Sequence, residues 1–312
     1  MALAKALSFA MRPSYLALYQ NGELEKRVGE GLSALRCCVL CPRRCGVDRT
    51  LEVGACRSGR LAQISSFNVH QGEEPPISGS RGSGTIFFTY CNLRCIYCQN
   101  YPISQIGHGR TVTAEGLAKI MLDLAHRGCH NLNLVTPSHL VPQILEALLL
   151  AIPQGFRLPI VYNTSGYDAL ETLALLDGIV DIYLPDMRYA DEHVAFQLSG
   201  VGDYVARNRE AVREMARQVG ELQLDEDGIA KRGLIIRHLV LPDGLAGTQE
   251  TFRFIAEEIS PTTSLSVMAQ YFPAYLASEH PLLGRSITIE EYASASDWLE
   301  EHGLENGWQQ GL

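Results

Sequence analysis

No stretch of the 312-residue chain approaches the roughly 20 consecutive apolar residues that a membrane-spanning helix needs. The densest run is Ala147-Leu148-Leu149-Leu150-Ala151-Ile152. This argues against a helical membrane span. The N-terminus, Met1 to Met11, is mildly apolar but interrupted by Lys5, and it shows no small-residue cleavage site. It reads as the start of a helix rather than a signal peptide, so a cytoplasmic location is expected. Positive charge is also in short supply: 26 Lys and Arg stand against 35 Asp and Glu, a net charge of −9. Neither nucleic acid nor an anionic membrane is attracted to an acidic surface, so neither is an expected partner, although a local basic patch is left open. Internal repeats beyond β/α alternation, low-complexity segments and long like-charge runs are absent. The length suits one large α/β domain with appendages.

What the chain does have is nine cysteines. In an exported chain these would suggest disulfides, whereas close clusters in an unexported chain point to metal ligation by reduced thiols. Cys91, Cys95 and Cys98 are spaced four and three residues apart in Tyr90-Cys91-Asn92-Leu93-Arg94-Cys95-Ile96-Tyr97-Cys98-Gln99-Asn100. Three thiolates cap only three corners of a four-iron cluster. The fourth iron stays open, and an open iron is a binding site. The triplet follows a strand-like run, Thr85-Ile86-Phe87-Phe88-Thr89-Tyr90, preceded by the flexible stretch Gly79 to Gly84. The ligands therefore sit at a strand's C-terminal end, where α/β folds place their chemistry.

This spacing, with the aromatic Tyr97 just before the last cysteine, resembles the signature of the radical S-adenosylmethionine (SAM) superfamily. The resemblance implies a 4Fe-4S cluster on Cys91, Cys95 and Cys98, with SAM chelating the open iron. It also implies reductive cleavage of the sulfonium to a 5′-deoxyadenosyl radical that abstracts hydrogen. A differentiated iron paired with a chelating cofactor belongs to that class of radical chemistry. A zinc site or scattered core cysteines is the plainer alternative.

From residue 85 onward, strand-like runs alternate with helical patterns. Strands are expected at Thr85–Tyr90, Asn131–Val135, Ile160–Asn163, Val180–Leu184, Leu234–Val240 and Ser264–Met268. Helices are expected after an N-cap at Thr113, over Leu140–Ile152, around Ala169–Leu176, through Val205, Asn208, Val212, Met215 and Val219, and after a cap at Thr248. A hairpin is expected at Asp227-Gly228. A last helix is expected from a Thr288/Glu291 capping box to Gly303. Six β/α units fall short of the eight of a closed barrel. The predicted fold is therefore α/β, a partial (β/α)6 barrel over 79–275, with an N-terminal helical and cysteine-rich extension (1–78) and a C-terminal helical cap (276–312).

The other strand ends carry polar groups suited to SAM. The second ends in Thr136-Pro137-Ser138-His139, where the pyruvate formate-lyase activating enzyme group usually holds Gly-Gly-Glu. Hydroxyls of Thr136 and Ser138 replace the carboxylate that accepts the SAM ammonium there, and His139 reads equally as a helix-start residue. The third strand ends in Asn163, Thr164 and Ser165, similar to the Thr-Asn-Gly element of that group, or else a helix N-cap cluster. Asp186 and Arg188 after the fourth resemble its Asp-Leu-Lys element, suited to a ribose and a carboxylate, with a surface ion pair as the plain alternative. Arg237 and His238 on the fifth resemble its Arg-x-x-Val-x-Pro-Gly element, with a core salt bridge as alternative. By this resemblance Tyr97, Thr136, Ser138, Asn163, Thr164, Ser165, Asp186, Arg188, Arg237 and His238 are the candidate cofactor-binding residues. No side chain is assigned as catalytic.

Upstream, Cys38, Cys41, Cys45 and Cys56 form a second close set. Four thiolates make a complete site, for zinc in a small lobe or for a second iron–sulfur cluster, and unligated cysteines are the remaining reading. Cys37 adjoins Cys38, and Cys129 reads as a buried apolar residue. The arrangement looks like the N-terminal extension of an uncharacterised branch of activating-enzyme homologues. The resemblance implies an oxidoreductase of the activating-enzyme type that abstracts hydrogen from a partner protein's glycine, with flavodoxin or ferredoxin as electron donor. Alternatives are radical modification of a peptide, nucleoside or small metabolite, and a non-catalytic electron-transfer protein.

Overall fold

The structure, a computed structural model, describes residues 12–311. The helix start expected over Met1 to Met11 lies outside the described residues. In chain order the strands are β1 (Ala62–His70), β2 (Ser83–Phe88), β3 (Arg110–Val112), β4 (Leu132–Val135), β5 (Ile160–Thr164), β6 (Ile182–Pro185), β7 (Gln223–Leu224), β8 (Ala230–Leu239), β9 (Ser264–Met268) and β10 (Gly307–Gln309). The helices are α1 (Tyr15–Gln20), α2 (Glu23–Ala34), α3 (Pro75–Ser78), α4 (Ala114–His126), α5 (Val141–Ala151), α6 (Leu170–Leu176), α7 (Glu192–Ser199), α8 (Tyr204–Val219), α9 (Thr248–Phe254) and α10 (Ile289–Glu301).

Strands β2, β4, β5, β6, β8 and β9 pair in parallel and in that spatial order, each new strand adding on the same side of the last. That single direction of winding is how a β/α barrel grows, and here it stops before closing. These six are the strands expected from the sequence. β10 adds parallel to β9 at one edge, while β1 and β3 extend the other edge in antiparallel pairing. β7 and β8 form the hairpin expected around Asp227-Gly228.

Local chemistry accounts for most boundaries. Thr113 accepts from the Gly116 N–H at the start of α4, and Thr288 and Glu291 close a reciprocal capping box on α10. The cap expected at Thr248 shifts by one residue: Gly247, at φ 62°, is the N-cap and Thr248 is the first helical residue. Ser83 and Gly84, expected in a flexible lead, are instead part of β2. A Cβ on Gly84 would lie 3.0 Å from the Asn131 carbonyl, so the close packing of β2 on its neighbour requires glycine there.

Strand alternation sorts the side chains into two faces. Outward residues such as Leu132, Leu134, Ile160 and Tyr162 join the main core under the helices. Inward residues build layers. Val161, Ile182, Leu184 and Ile235 pack with Ile77 of α3 as an apolar plug. Two residues further along their strands come Asn163, Asp186 and Arg237. The polar groups therefore sit one layer above the plug, toward the C-terminal ends of the strands.

Candidate functional site

The loop after β2 brings the three cysteines of the triplet together. Cys91 and Cys95 are buried and Cys98 is half-buried, and all three line one cavity of about 100 Å³. Each sulfur has a polar neighbour. The Leu93 N–H donates to Cys91 Sγ at 3.3 Å, Ser199 Oγ donates to Cys95 Sγ at 3.0 Å, and Ser104 Oγ lies 3.1 Å from Cys98 Sγ. Burial, together with the neighbouring Cys95, pushes the Cys91 thiol up to about 12, and burial raises Cys98 as well. Bare Cys91 and Cys98 thiols stay protonated, so their thiolate form calls for bound cations. Among the described residues no three His, Cys, Asp or Glu side chains converge as a single-ion site. A four-iron cluster asks for something else, because each thiolate caps a different iron.

The same cavity is lined by Thr136, Asn163, Thr164, Ser165, Asp186, Arg188 and Arg237, from the ends of four strands. A second space, about 170 Å³, adjoins it through Cys98, Asn100, Asp186, Arg188 and Arg237 and is bounded by Tyr97, Gln99, Leu239, Met268 and Gln270. Asp186 is the hub. It accepts from Arg237 Nε at 2.8 Å and from Arg188 at 2.5 Å, while Arg237 also donates to Asn163 Oδ1 at 2.7 Å. Burial alone would raise the Asp186 carboxyl, but Arg237 and Arg188 outweigh it and hold it below the usual carboxylate range. The surface ion pair considered for Asp186 and Arg188 is thus a buried triad. The buried Ser165 Oγ and Arg188 Nε find no partner among the described residues, and both residues line the cavity. Orphan polar atoms beside neutral donors, acceptors and two guanidinium groups fit a polar ligand carrying a carboxylate and hydroxyls.

Four residues weighed for the site stand differently. His238 does not join the cavity. Its neighbour Arg237 faces inward, and alternation turns His238 outward, where Nδ1 meets the Met187 carbonyl at 2.8 Å and Nε2 meets Thr248 Oγ1 at 2.9 Å. Burial pushes its pKa down to about 4, so it is a neutral residue packed against Phe252. Ser138 is buried in the loop, its hydroxyl 3.0 Å from Thr164 Oγ1, which donates to Asp168. Tyr97 stays out of the triplet cavity but bounds the adjoining space; it is buried, its hydroxyl accepting from Tyr189 at 2.6 Å. His139 bonds the Thr89 carbonyl through Nε2 at 3.1 Å, as a structural residue beside the start of α5.

The sequence reading missed Glu73 and Glu74. The segment entering α3 carries them into the barrel, where Glu73 accepts from Asn163 Nδ2 at 3.4 Å and Glu74 lies 4.0 Å from Arg237 Nε. Burial pushes the Glu73 carboxyl up to about 7, against the pull of Arg237. The only local signal was an adjacent pair of acids before Pro75-Pro76. Ser199, which bonds the Cys95 sulfur, was equally invisible because it ends α7 (Glu192–Ser199), a helix the sequence reading did not expect.

An open parallel sheet, a cysteine triplet at the end of its first parallel strand and a polar ring on the succeeding strand ends together define a class. Residues 85–220 match the Radical SAM superfamily model. Over 295 residues the chain is 31% identical to "Uncharacterized protein MJ0674" of Methanocaldococcus jannaschii, covering 90% of this chain and 80% of that protein. The chain belongs to the radical SAM superfamily, whose members bind a 4Fe-4S cluster and SAM. Among solved structures, similarity extends to Streptococcus suis SuiB bound to precursor peptide SuiA, at 12% identity and TM-score 0.49, over 72% of this chain and 47% of that one. It also extends to a radical SAM methyltransferase from Sphaerobacter thermophilus, at 15% identity and TM-score 0.47, over 72% and 65% of the two chains. The aligned part is about half to two thirds of each of these longer proteins. No helix among the described residues is long and apolar enough to cross a membrane.

Proposed function

We propose that the chain is a radical SAM enzyme of the glycyl-radical-enzyme activase type, acting on a polypeptide segment presented at the barrel mouth. Cys91, Cys95 and Cys98 would hold the cluster, and Thr136, Asn163, Thr164, Ser165, Asp186, Arg188 and Arg237 would hold SAM. When bound, the pair supplies one-electron cleavage of SAM and hydrogen abstraction. Arg188 and Arg237 suit the methionyl carboxylate, and Asn163, Thr164 and Ser165 suit the ribose hydroxyls. A one-electron donor such as flavodoxin or ferredoxin would supply the reducing equivalent.

The observation that carries the polypeptide reading is an apolar lip beside the triplet. Phe272, Tyr275 and Leu276 are exposed. They are tied to the cluster loop by Gln99 Nε2 donating to the Gln270 carbonyl at 2.8 Å, by Leu276 N–H donating to the Ile96 carbonyl at 2.9 Å, and by stacking of Tyr275 on Tyr101. An exposed apolar surface next to a reaction cavity favours a macromolecular substrate. A small cationic metabolite is the second reading, favoured by Glu73 and Glu74 deep in the polar layer. The test is isotope tracing. Reduced, reconstituted protein is incubated with SAM and candidate substrates carrying deuterated glycine. Deuterium in 5′-deoxyadenosine from a polypeptide supports the activase reading; deuterium solely from a small amine contradicts it.

A further inference from the structure

The lobe between α2 and β1 holds Cys38, Cys41 and Cys56 buried and Cys45 half-buried. Its charge sets it apart from the rest of the chain. Residues 36–60 carry six arginines against two acids, Asp48 and Glu52, in a chain whose net charge is −9. Four of the six are accounted for within the fold. Arg36 stands near Asp48, Arg44 pairs with Glu171, Arg60 pairs with Glu146, and Arg49 is buried among the carbonyls of Ser58, Gly59 and His139.

Arg43 and Arg57 instead reach across to the segment that carries the cysteine triplet, and both end on neutral oxygens. Arg43 donates to the Asn92 carbonyl through Nε and to the Gly200 carbonyl at 3.3 Å. Arg57 donates to the Gln105 carbonyl at 2.7 Å. From the other side Arg94 donates to the Cys91 carbonyl at 2.8 Å and to the Ala55 carbonyl, next to Cys56, at 2.5 Å. Arg43 and Arg57 stand near enough to Arg94 to repel its charge. Among the described residues none of the three makes an ion pair with a carboxylate: their partners are carbonyls. Carbonyl oxygens satisfy guanidinium hydrogens but cancel no charge. Arg57 is exposed and Arg43 and Arg94 are half-buried, so the seam between lobe and loop offers uncancelled positive charge to solvent.

Apolar side chains flank the seam. Leu51, Val53 and Ile106 are exposed, Leu51 to 85%, and Ile106 directly follows the Gln105 that Arg57 holds. Arginines beside exposed apolar groups have the composition of a protein interface. The seam grips the first part of the triplet loop, at Cys91 and Asn92, whereas the lip of Phe272, Tyr275 and Leu276 is tied to the later part, at Ile96, Gln99 and Tyr101. A partner on one surface therefore need not displace a partner on the other. Nucleic acid is the other polyanion that a basic surface suggests, but single strands call for a groove of phosphate contacts with aromatic faces for the bases. The exposed apolar groups here are aliphatic.

We propose that this seam, Arg43, Arg57 and Arg94 with Leu51, Val53 and Ile106 beside them, is the docking surface for an acidic one-electron carrier protein that reduces the site at Cys91, Cys95 and Cys98. The carrier hands over one electron and leaves oxidised by one; no bond breaks and no proton moves. The acidic remainder of the chain repels such a carrier, so the patch selects the orientation in which it meets the triplet loop. The inference rests on the radical SAM reading.

The test uses the full chain, anaerobically reconstituted, with an acidic flavodoxin as the probe. Wild type is expected to bind it with an affinity that falls as salt rises. Arg57→Glu and Leu51→Glu should each weaken binding about tenfold or more, and Arg57→Lys should retain most of it. Leu51→Glu changes an exposed loop position and decides the matter if Arg57→Glu disturbs the fold. SAM cleavage driven by reduced flavodoxin should fall along with binding, while cleavage driven by dithionite stays at the wild-type rate. No binding by wild type, binding indifferent to salt and to both substitutions, an equal fall of the dithionite-driven rate in Leu51→Glu, or binding of a single-stranded RNA oligomer in place of flavodoxin overturns the proposal. Failure of the radical SAM reading shows separately, as a wild type that dithionite does not drive to cleave SAM; flavodoxin binding and its loss in the variants still decide the docking surface.

Discussion

Arg188 donates to the Cys95 sulfur at 3.4 Å while its other terminal nitrogen bonds Asp186 at 2.5 Å. One side chain thereby links the cluster loop to the ring of strand-end residues. Its charge lies against Cys95, a proposed cluster ligand, where it would stabilise the electron-rich state. Arg188→Met is expected to leave the triplet cluster assembled and to lower its reduction potential, measured by redox titration. Loss of iron would mean that the residue holds the loop together; an unchanged potential would mean that its charge does not reach the cluster.

Asn163 contacts the polar ring without touching a cysteine. Asn163→Ala is expected to raise the KM for SAM roughly tenfold, the equivalent of about one lost hydrogen bond, with cluster absorbance unchanged. Asp186→Ala should be harsher. It leaves Arg188 without its carboxylate and Arg237 with only the distant Glu74 carboxylate at 4.0 Å, at a cost of about 3–5 kcal/mol. Denaturant unfolding separates the two variants, and equal stabilities would contradict the buried-triad account.

Glu73 gives a pH signature. Its carboxyl is raised to about 7 by burial, so between the ordinary carboxylate range and pH 7 the native chain holds a proton that the unfolded chain has lost. Stability from this group is present at low pH and lost as pH rises through that window. Glu73→Gln removes the dependence. Relative to wild type it should gain roughly 1–3 kcal/mol between pH 5 and 8 and change little above. A constant difference across that range would show that Glu73 titrates normally.

His238 should matter to stability alone. His238→Ala leaves the Met187 carbonyl and the Thr248 hydroxyl without their partner, at a cost of about 1–3 kcal/mol. SAM cleavage by the folded variant should match wild type. A selective loss of activity would return His238 to the site.

The six parallel strands were legible because each pairs β-branched or aromatic content with a turn signal. β1 was not, since Ala62–His70 intersperses Gln, Ser and Asn and gains its strand identity from pairing with β2. β7 and β10 are too short to show a period. Cys91, Cys95 and Cys98 announced themselves by spacing, and the strand ends by their polarity. Arg237 and His238 could have been told apart by alternation, which places adjacent residues on opposite faces of a strand. Glu73 and Glu74 could not be found locally, because an acidic pair before two prolines reads as a surface turn. The docking of α3 under the barrel alone takes them inside.

The most direct test of the central claim, that Cys91, Cys95 and Cys98 hold an open-iron cluster that works on SAM, is single-turnover cleavage by the anaerobically reconstituted, chemically reduced protein. Wild type is expected to give 5′-deoxyadenosine and methionine in equal amounts, with the cluster's resonance spectrum altered when SAM is added. Cys91→Ala, Cys95→Ala and Cys98→Ala should each give none. Cleavage retained in any of the three variants, or a wild-type cluster that SAM neither perturbs nor is cleaved by, would contradict the account.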